Sequence, residues 1–390
     1  MRVLLVATEV PPAVGGMQTW TTDVIRGLAA RLDVAIVCPS TANTLLLREA
    51  GAVFAYAIDR MHARTIGRPH EIIATVLESA NRHRADIVHL GQAGLAFLAA
   101  PLAQAGFTVV LTVHGNDLTR PWLHMDRIPG PHWADHWREC FRHVRRVSTL
   151  SRHSRRLALK AGAQPPVLRI PPAIDAARFS PGNRAEARAL LKLPADRPVL
   201  LSVGRLMERK GHLDVITALP GLVKYNPLYV IVGQGPMSEP IAEHCKEQNL
   251  EAHVWQVGRV TENELVQYYR AADLFVLPTH PRVDDLGFDC EGYGLVYLEA
   301  AACAVPVVAA NSGGVADAVL DGVTGTLVPP RDVAALGAAI ESLLTDQQKA
   351  ADFAAAARER VLKDFTRQRL AKRLERMYSE ALPSPSGATL

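Results

Sequence analysis

Cysteine is scarce in this sequence of 390 residues, and its positions argue against two common kinds of site. The five cysteines are scattered and form no C-x-x-C pair: Cys38, Cys140, Cys245, Cys290 and Cys303. An odd number of isolated cysteines argues against a disulfide framework and against a structural zinc site. The same pattern is typical of the reducing cytosol, so we expect a cytoplasmic protein.

The sequence also lacks a hydrophobic run of the kind that crosses a membrane. The stretch Gly91–Asn116 contains no charged residue, but a proline, a glycine and several Gln and His residues interrupt it. A membrane-spanning helix needs about 20 predominantly apolar residues. We therefore predict a helix over about 94–105 and a buried strand over 107–113. The apolar start of the chain, Met1–Ala7, is too short for a signal peptide.

Positive charge is concentrated in the first half of the chain. Residues 1–180 carry 21 Lys and Arg against 13 Asp and Glu, whereas residues 181–390 carry 22 against 26. Eight basic residues lie between Arg138 and Lys160, where Glu139 is the one acidic residue. This basic cluster is either a solvated face or a surface that meets an anionic membrane or acceptor. Nucleic acid is disfavoured as a partner, because aromatic residues are not interleaved and no nucleic-acid motif is present.

Short apolar runs alternate with helical patterns along the chain, which is typical of α/β folds with parallel sheets. The first series of predicted strands is Arg2–Ala7, Val34–Cys38, Ile87–Leu90 and Val109–Val113. The second series is Pro198–Gly204, Tyr229–Gly235 with its turn, Val254–Val257 and Asp273–Leu277. A proline-rich stretch separates the two series. We therefore predict two domains, residues 1–170 and 183–362, joined by a linker at 171–182.

The stretch 290–300 places two carboxylates around a glycine-rich turn and a helix. Gly292 and Gly294 allow the backbone to approach a ligand, and a helix is predicted to begin near Gly294 with free N–H groups in the turn. Glu291 and Glu299 would then lie on the order of 10 Å apart. That spacing suits a long ligand with an anionic middle and hydroxyl-rich ends, such as a nucleotide diphosphate-sugar. Two glutamates eight residues apart are by themselves a weak signal, and the alternative is a solvated Glu291 with a Glu299 that is salt-bridged on a helix flank.

Other predicted strand ends carry residues suited to the same ligand. Arg205 and Lys210 follow a strand and precede a helix, where two cations near helix N–H groups can hold a diphosphate. The pair Gly15-Gly16 lies between a strand and a helix, so it is either a plain turn or a close approach to phosphate or sugar. His114 follows a predicted strand at the edge where open α/β sheets bind ligands, although a lone histidine is usually structural.

These motifs together resemble the retaining glycosyltransferases of family 4. The resemblance runs from Arg2 to about Tyr378 and rests on four short patterns. They are Glu-x7-Glu at Glu291 and Glu299, the Pro-Val-Val strand and Gly-Gly turn of 305–314, Gly-Arg-Leu-x-x-x-Lys-Gly at 204–211, and Thr-x-His-Gly at His114. The resemblance implies the GT-B fold, which is α/β with two Rossmann-like domains facing across a cleft. It also implies an acceptor-side first domain, a donor-binding second domain and a helix over 363–382 that crosses back to the first, before a disordered tail at 383–390.

The resemblance also assigns roles to individual residues. His114, Glu291, Arg205 and Lys210 would take part in catalysis, with His114 and Glu291 on the sugar and the two cations on the diphosphate. Glu299 would hold the ribose, and Gln18 would contact the acceptor. The remaining residues expected to contact the donor are Gly15, Gly16, Gly204, Gly233, Arg259, Val260, Gly292, Tyr293, Gly294, Leu295 and Val296. The acidic loop before Glu291 is not the D-x-D of metal-dependent transferases, so we expect no metal and no cofactor.

The resemblance is strongest to bacterial phosphatidylinositol mannosyltransferases, on the stretches 15–18 and 289–300. It implies mannose transfer from GDP-mannose to a hydroxyl acceptor, lipid-linked or part of a cell-envelope glycan, by an enzyme peripheral at the inner face of the cell membrane. Three alternatives remain. They are a sugar-phosphate synthase with a soluble acceptor, a non-catalytic nucleotide-sugar-binding protein, and an NAD-dependent oxidoreductase, which the absence of G-x-G-x-x-G disfavours.

Overall fold

The structure is a computed structural model that describes residues 1–13, 15–58, 61–62, 65–66, 69–119, 133–284 and 287–383. The strands are, in chain order, β1 (Arg2–Val6), β2 (Asp33–Pro39), β3 (Phe54–Ile58), β4 (Met61–His62), β5 (Thr65–Ile66), β6 (Ile87–Leu90), β7 (Thr108–Val113), β8 (Arg146–Thr149), β9 (Val167–Arg169), β10 (Val199–Val203), β11 (Leu228–Val232), β12 (Val254–Gly258), β13 (Leu274–Leu277), β14 (Arg282–Asp284), β15 (Gly287–Asp289), β16 (Val307–Ala310) and β17 (Thr326–Val328).

The helices alternate with these strands. In chain order they are α1 (Gly16–Leu28), α2 (Thr44–Glu49), α3 (Pro69–His83), α4 (Ala99–Gln104), α5 (Asn116–Thr119), α6 (Trp133–Arg142), α7 (Arg152–Lys160), α8 (Arg184–Leu191), α9 (His212–Ala218), α10 (Ser238–Glu247), α11 (Glu262–Ala271), α12 (Leu295–Ala302), α13 (Val315–Ala318), α14 (Val333–Thr345), α15 (Gln347–Asp364) and α16 (Arg367–Ala381). Short 3₁₀ helices occupy Ala93–Leu98, Glu208–Lys210 and Leu219–Tyr225. Among the described residues, none of these helices combines the length and the apolar character that a membrane crossing needs.

The chain folds into two compact units, and the first is built on a seven-stranded parallel sheet. This unit comprises residues 1–173, 283–292 and 367–390. Its strand order is β3-β2-β1-β6-β7-β8-β9, with all pairs parallel. The inner strand β1 is buried from Val3 to Val6, because helices cover both faces of the sheet. The continuous apolar runs in the sequence are therefore strands, as predicted.

The second unit comprises residues 174–282 and 293–366 and has its own six-stranded sheet. The strand order is β12-β11-β10-β13-β16-β17, and these pairs are also parallel. Its core packs apolar residues of β10, β11 and β13 against α9, α10 and α14. Two α/β domains with parallel sheets are thus confirmed. In both units the strand-to-helix loops lie at the carboxyl edge of the sheet, where open α/β sheets bind ligands.

The course of the chain differs from the predicted division at residues 283–292. We predicted this segment within the second domain, but it packs with the first unit. The physical reason is side-chain bonding: Thr119 donates to the Phe288 carbonyl at 2.7 Å, and Asn116 bonds the backbone of Cys290. Asp285, part of the predicted acidic loop, lies outside the described residues, as do residues 384–390 of the predicted tail.

The C-terminal helix α16 belongs to the first unit and packs along α1. A Cβ added to Gly27 would lie 3.0 Å from the Arg367 carbonyl oxygen, so the two helices approach closely. Arg367 also donates to the Asp23 carboxylate at 2.6 Å. At the far end of α16, the Tyr378 hydroxyl bonds His89 Nδ1 at 2.8 Å. The helix expected over 363–382 is observed over residues 367–381.

Candidate functional site

His114 lies directly after β7, in a loop that one carboxylate organises. Asp117 accepts hydrogen bonds from the amides of Ala93 at 2.8 Å, Gly115 at 2.8 Å and His114 at 3.0 Å. The His114 ring is buried, and its Nε2–H donates to the Gly91 carbonyl at 2.9 Å. Burial lowers the pKa of His114, although Asp117 and that carbonyl oppose the shift. The ring is therefore neutral at pH 7, with its lone pair on Nδ1.

Behind His114 lies an aromatic and polar layer that sequence reasoning missed. Trp20 packs edge-on against His114, with ring centroids 4.9 Å apart, and against His89 at 5.9 Å. His89 bonds Thr112 Oγ1 at 2.7 Å, and burial is the main reason that the pKa of His89 is lowered to about 3. This layer fixes the position of the His114 ring. The sequence gives little indication of it, because its members come from α1, β6 and β7.

The turn that carries Glu291 lies against the His114 loop. A Cβ on Gly292 would lie 2.7 Å from the His114 carbonyl oxygen, so the backbone contact requires glycine there. From the other side, a Cβ on Gly115 would lie 3.9 Å from the Cα of Gly292. The first unit therefore brings together His114, Glu291 and Gly292, three of the residues predicted to contact the donor.

The loop between β1 and α1 holds the predicted residues Gly15, Gly16 and Gln18. Gly15 has φ 157°, and a Cβ there would lie 2.7 Å from Gln18 Oε1. The buried Gln18 side chain donates from Nε2 to the Glu9 carboxylate. Gly15 precedes α1 and has no side chain to cap it, so the first-turn amides of Gly16 and its neighbours are available to an anion.

In the second unit, three strand-end loops meet at the carboxyl edge of the sheet. Gly204 follows β10, Gly233 follows β11 and Gly258 ends β12; all three have positive φ. The Gly204 amide donates to Val232, and the Gly233 amide donates to Gly258 at 2.8 Å. A Cβ on Gly233 would lie 1.8 Å from the Gly204 carbonyl oxygen, so only glycine allows this approach. Arg259 and Val260 follow directly, with Arg259 exposed.

Lys210 brings a buried cation to the same loops. Its side chain is only 8% exposed, and its Nζ would lie 3.9 Å from a Cβ placed on Gly204. Arg205, the second predicted cation, is exposed at the start of the loop. Behind Lys210, the His212 ring bonds the Tyr229 hydroxyl at 3.0 Å, and its Nε2 is buried without a hydrogen-bond partner. Burial, followed by the charge of Lys210, lowers the pKa of His212 to about 3, so this ring stays neutral beside the cation.

The helix α12 carries Glu299, and its preceding turn has the predicted glycine geometry. Gly294 has φ 90°, and the helix begins at Leu295 with Val296 in its first turn, both half-buried. The hydroxyl of Tyr269, on α11, donates to the Glu299 carboxylate at 2.6 Å. Burial and this carboxylate raise the pKa of Tyr269, so the hydroxyl remains a donor. The Tyr293 side chain is buried and donates its hydroxyl to the Asp317 carbonyl at 3.0 Å.

The basic cluster of 138–160 is only partly available to a partner. Arg138 and Arg142 pair with acidic residues on α6, and Arg146 donates to the Glu380 carbonyl at 2.6 Å. The outer face of α7 carries exposed basic residues and one leucine, although Arg155 also donates from Nε to the Val167 carbonyl at 3.2 Å. They are Arg152, Arg155, Arg156, Leu159 and Lys160, which we call the α7 basic face.

No group of three or more His, Cys, Asp or Glu side chains is arranged to hold a metal ion within the described residues. Of the acidic loop before Glu291, Asp289 is buried and accepts from the Asn116 side chain.

Comparisons with known proteins identify the family and agree with the fold. Residues 14–178 match the family described as Glycosyltransferase Family 4, and residues 183–360 match the one described as Glycosyl transferases group 1. A GDP-mannose-dependent alpha-(1-6)-phosphatidylinositol monomannoside mannosyltransferase of Mycolicibacterium smegmatis is 32% identical over 97% of this chain and 98% of its own. A glycogen synthase of Mycobacterium tuberculosis is 31% identical over 98% of this chain and 95% of its own. The solved sucrose-phosphate synthase of Thermosynechococcus elongatus aligns with a TM-score of 0.77 and 23% identity, covering 97% and 98% of the two chains.

Proposed function

Since the chain belongs to the glycosyltransferases of family 4 and group 1 and has the GT-B fold, we propose that it transfers mannose from GDP-mannose. In this proposal the acceptor is a hydroxyl of a lipid-linked or cell-envelope glycan, and the anomeric configuration is retained. The observation that carries the proposal is the meeting of Gly204, Gly233 and Gly258 around the buried Lys210. The close glycine turns leave room for a ligand beside the buried cation, and the amides that begin α12 have no side-chain cap, which together suit a diphosphate. The name of the Mycolicibacterium relative supports the choice of GDP-mannose.

In this proposal the second unit, residues 174–282 and 293–366, binds the nucleotide. Lys210 and Arg205 hold the diphosphate, together with the amides that begin α12. Glu299 accepts hydrogen bonds from the ribose hydroxyls, and the Tyr269 hydroxyl keeps its carboxylate in place. The loop of Arg259 and Val260 contacts the base.

The first unit contributes the sugar and acceptor contacts. Glu291 accepts hydrogen bonds from sugar hydroxyls, and His114 offers a further acceptor, the Nδ1 lone pair of its neutral ring. Gly15 and Gly16 open the end of α1 to an anionic group, and Gln18, held by Glu9, contacts the acceptor. The residues of this unit therefore determine which hydroxyl is glycosylated.

The chemistry is a substitution at the anomeric carbon. The bond from this carbon to the diphosphate oxygen breaks, a bond to the acceptor oxygen forms on the same face, and the acceptor proton passes to the departing phosphate. Negative charge accumulates on the diphosphate while the sugar becomes oxocarbenium-like. The two cations and the helix amides stabilise that charge, so the reaction proceeds without a metal ion.

The acceptor is proposed to lie at an anionic membrane surface, which the α7 basic face contacts. A soluble acceptor is the second candidate, because a glycogen synthase and a sucrose-phosphate synthase also match the full chain. The two candidates share donor chemistry and differ in where the enzyme works.

The decisive experiment is a screen of donor hydrolysis and transfer across GDP-, UDP- and ADP-sugars, followed by NMR of the product anomer. We expect turnover of GDP-mannose and an α-linked product from the α-linked donor. Preference for a UDP- or ADP-sugar would contradict the donor assignment, and an inverted product would contradict retention. Calorimetry with NAD and with each sugar nucleotide separates the transferase from an oxidoreductase, and binding without turnover would indicate a non-catalytic protein.

A further inference from the structure

The Asn116 side-chain amide contacts two residues of the segment before Glu291. Asn116 Nδ2 donates to the Cys290 carbonyl at 2.7 Å and to the Asp289 carboxylate. In the other direction, Asn116 Oδ1 accepts from the Cys290 amide at 3.4 Å. The amide therefore bonds both backbone groups of Cys290, in the way that a neighbouring strand would.

Two further contacts fix the same segment from either side. Thr119, at the end of α5, donates its hydroxyl to the Phe288 carbonyl at 2.7 Å. On α7, His153 Nε2 lies 3.1 Å from Cys290 Sγ, and its ring packs against Phe288. Cys290 is only 1% exposed as a result. The segment is thus positioned by helices of the first unit, although it lies more than 100 residues later in the chain.

This arrangement links the two sugar-side residues through one short loop. Asn116 comes two residues after His114, and Cys290 comes immediately before Glu291. Asp117 fixes the amides of the same loop, and Gly292 contacts the His114 carbonyl oxygen. We propose that Asn116 is a positioning residue that sets Glu291 relative to His114. The proposal rests on the function given above, in which both residues meet the transferred sugar.

An amide is suited to this position by its hydrogen-bonding pattern. Its NH₂ group faces two acceptors, the Cys290 carbonyl and the Asp289 carboxylate, while its oxygen faces a donor. An ionised aspartate at 116 would face both acceptors without a proton to donate. A protonated aspartate would restore one donor. The titratable groups around position 116 are Asp289 and Cys290, His153 on α7, and His114 and Asp117 in its own loop.

The proposal predicts different consequences for Asn116→Ala and Asn116→Asp. In Asn116→Ala we expect kcat to fall at least tenfold at every pH, while the Kd for GDP changes less than twofold. In Asn116→Asp we expect a similar loss at pH 8 that recovers several-fold as the pH falls toward 5.5. The sign follows because the Asp289 carboxylate and burial raise the pKa of an introduced carboxyl, and only its protonated form donates.

A second readout does not depend on turnover. Because Cys290 is only 1% exposed, we expect iodoacetamide to alkylate it slowly in the native protein. In Asn116→Ala we expect this alkylation to accelerate at least tenfold, as measured by mass spectrometry of the Cys290 peptide. Asn183→Ala serves as the matched control. Asn183 caps α8 through Ala185 and Glu186, so its loss lowers stability without touching this segment.

Failure of the positioning role can be told apart from failure of the proposed function. Equal loss of GDP affinity and kcat in Asn116→Ala, or a pH profile of Asn116→Asp parallel to that of Asn116→Ala, would overturn the positioning role. Unchanged alkylation of Cys290 would overturn it as well. The kinetic tests use whichever sugar nucleotide the native enzyme turns over, and alkylation needs no substrate. A wrong donor assignment therefore leaves the test of Asn116 intact.

Discussion

The Tyr269 hydroxyl donates a 2.6 Å hydrogen bond to the Glu299 carboxylate, across the 30 residues that separate them in sequence. Tyr269 is buried against Phe275 and Phe179, so its hydroxyl has little freedom to leave. A carboxylate held in this way presents its remaining lone pairs in a fixed direction. We therefore expect Tyr269 to determine how well Glu299 binds its ligand.

Tyr269→Phe should weaken binding of the product nucleotide about three- to tenfold. A hydrogen bond to a charged group contributes roughly 1.5–3 kcal/mol, and part of that is regained from water. Calorimetry with GDP measures the effect. Tyr268→Phe, one residue earlier on the same helix, is the control and should change the affinity less than twofold. Equal effects of the two variants would show that Tyr269 acts on packing alone.

Lys210→Ala and Arg205→Ala should each lower kcat/KM at least tenfold. Each variant loses a charge-assisted contact of roughly 1.5–3 kcal/mol, most needed as charge develops on the leaving group. Steady-state kinetics on folded protein measure the loss. Lys246→Ala removes an exposed lysine of α10 and should have no effect. Native kcat/KM in both site variants would rule out the diphosphate assignment.

Glu299→Ala and Glu291→Ala should differ in what they impair. Glu299→Ala should weaken binding of GDP, because the ribose contact is present in donor and product alike. Glu291→Ala should leave GDP affinity nearly unchanged and lower kcat, because its expected contact is to the sugar. Calorimetry and kinetics on both variants make the comparison. If they lost GDP affinity equally, the two ends of the ligand would be wrongly assigned.

Activity should persist in EDTA. The described residues hold no three-residue cluster of metal ligands, and Lys210, Arg205 and helix amides can neutralise a diphosphate. The measurement is initial rate after exhaustive chelation, compared with the same enzyme given Mg²⁺ or Mn²⁺. Loss of activity that either ion restores would refute metal independence.

The enzyme should bind anionic vesicles at low salt, release at high salt and ignore neutral vesicles. Each basic residue near an anionic surface contributes about 1 kcal/mol, screened over about 10 Å at 0.1 M salt. Arg156→Glu with Lys160→Glu should reduce co-sedimentation and spare donor hydrolysis. The double variant Arg138→Glu and Arg142→Glu changes the net charge by the same amount, but at residues that already pair with acidic side chains on α6. It should therefore reduce co-sedimentation less. Absence of native binding at low salt would favour a soluble acceptor.

The sequence predicts the strand ends and glycine turns well, because their determinants are local. Gly204, Gly233 and Gly294 follow or precede regular elements, and each has the positive φ that glycine permits. The buried strands are likewise evident from continuous apolar runs. These features place most of the proposed donor site without any knowledge of tertiary contacts.

The sequence could not predict hydrogen bonds from a side chain to a distant part of the backbone. The Asn116 contact to Cys290 spans 174 residues, and the amide gives no periodic signal that would indicate its partner. The same holds for Arg146, which looked like part of a basic surface but bonds the Glu380 carbonyl. The number of basic residues in a sequence cluster therefore overestimates how many basic side chains are available to an anionic partner.

The first unit has a consequence for biosynthesis, because α16 is translated long after the sheet of the same unit. The sheet is complete at Arg169, yet Tyr378 supplies a hydrogen bond to the buried His89. At about 5–20 residues per second, the ribosome takes roughly 10–40 s to cover the intervening chain. During that interval the nascent first half exposes the face of α1 that α16 later covers. A chain released before residue 367 would retain that exposure and become a substrate for chaperones and proteases.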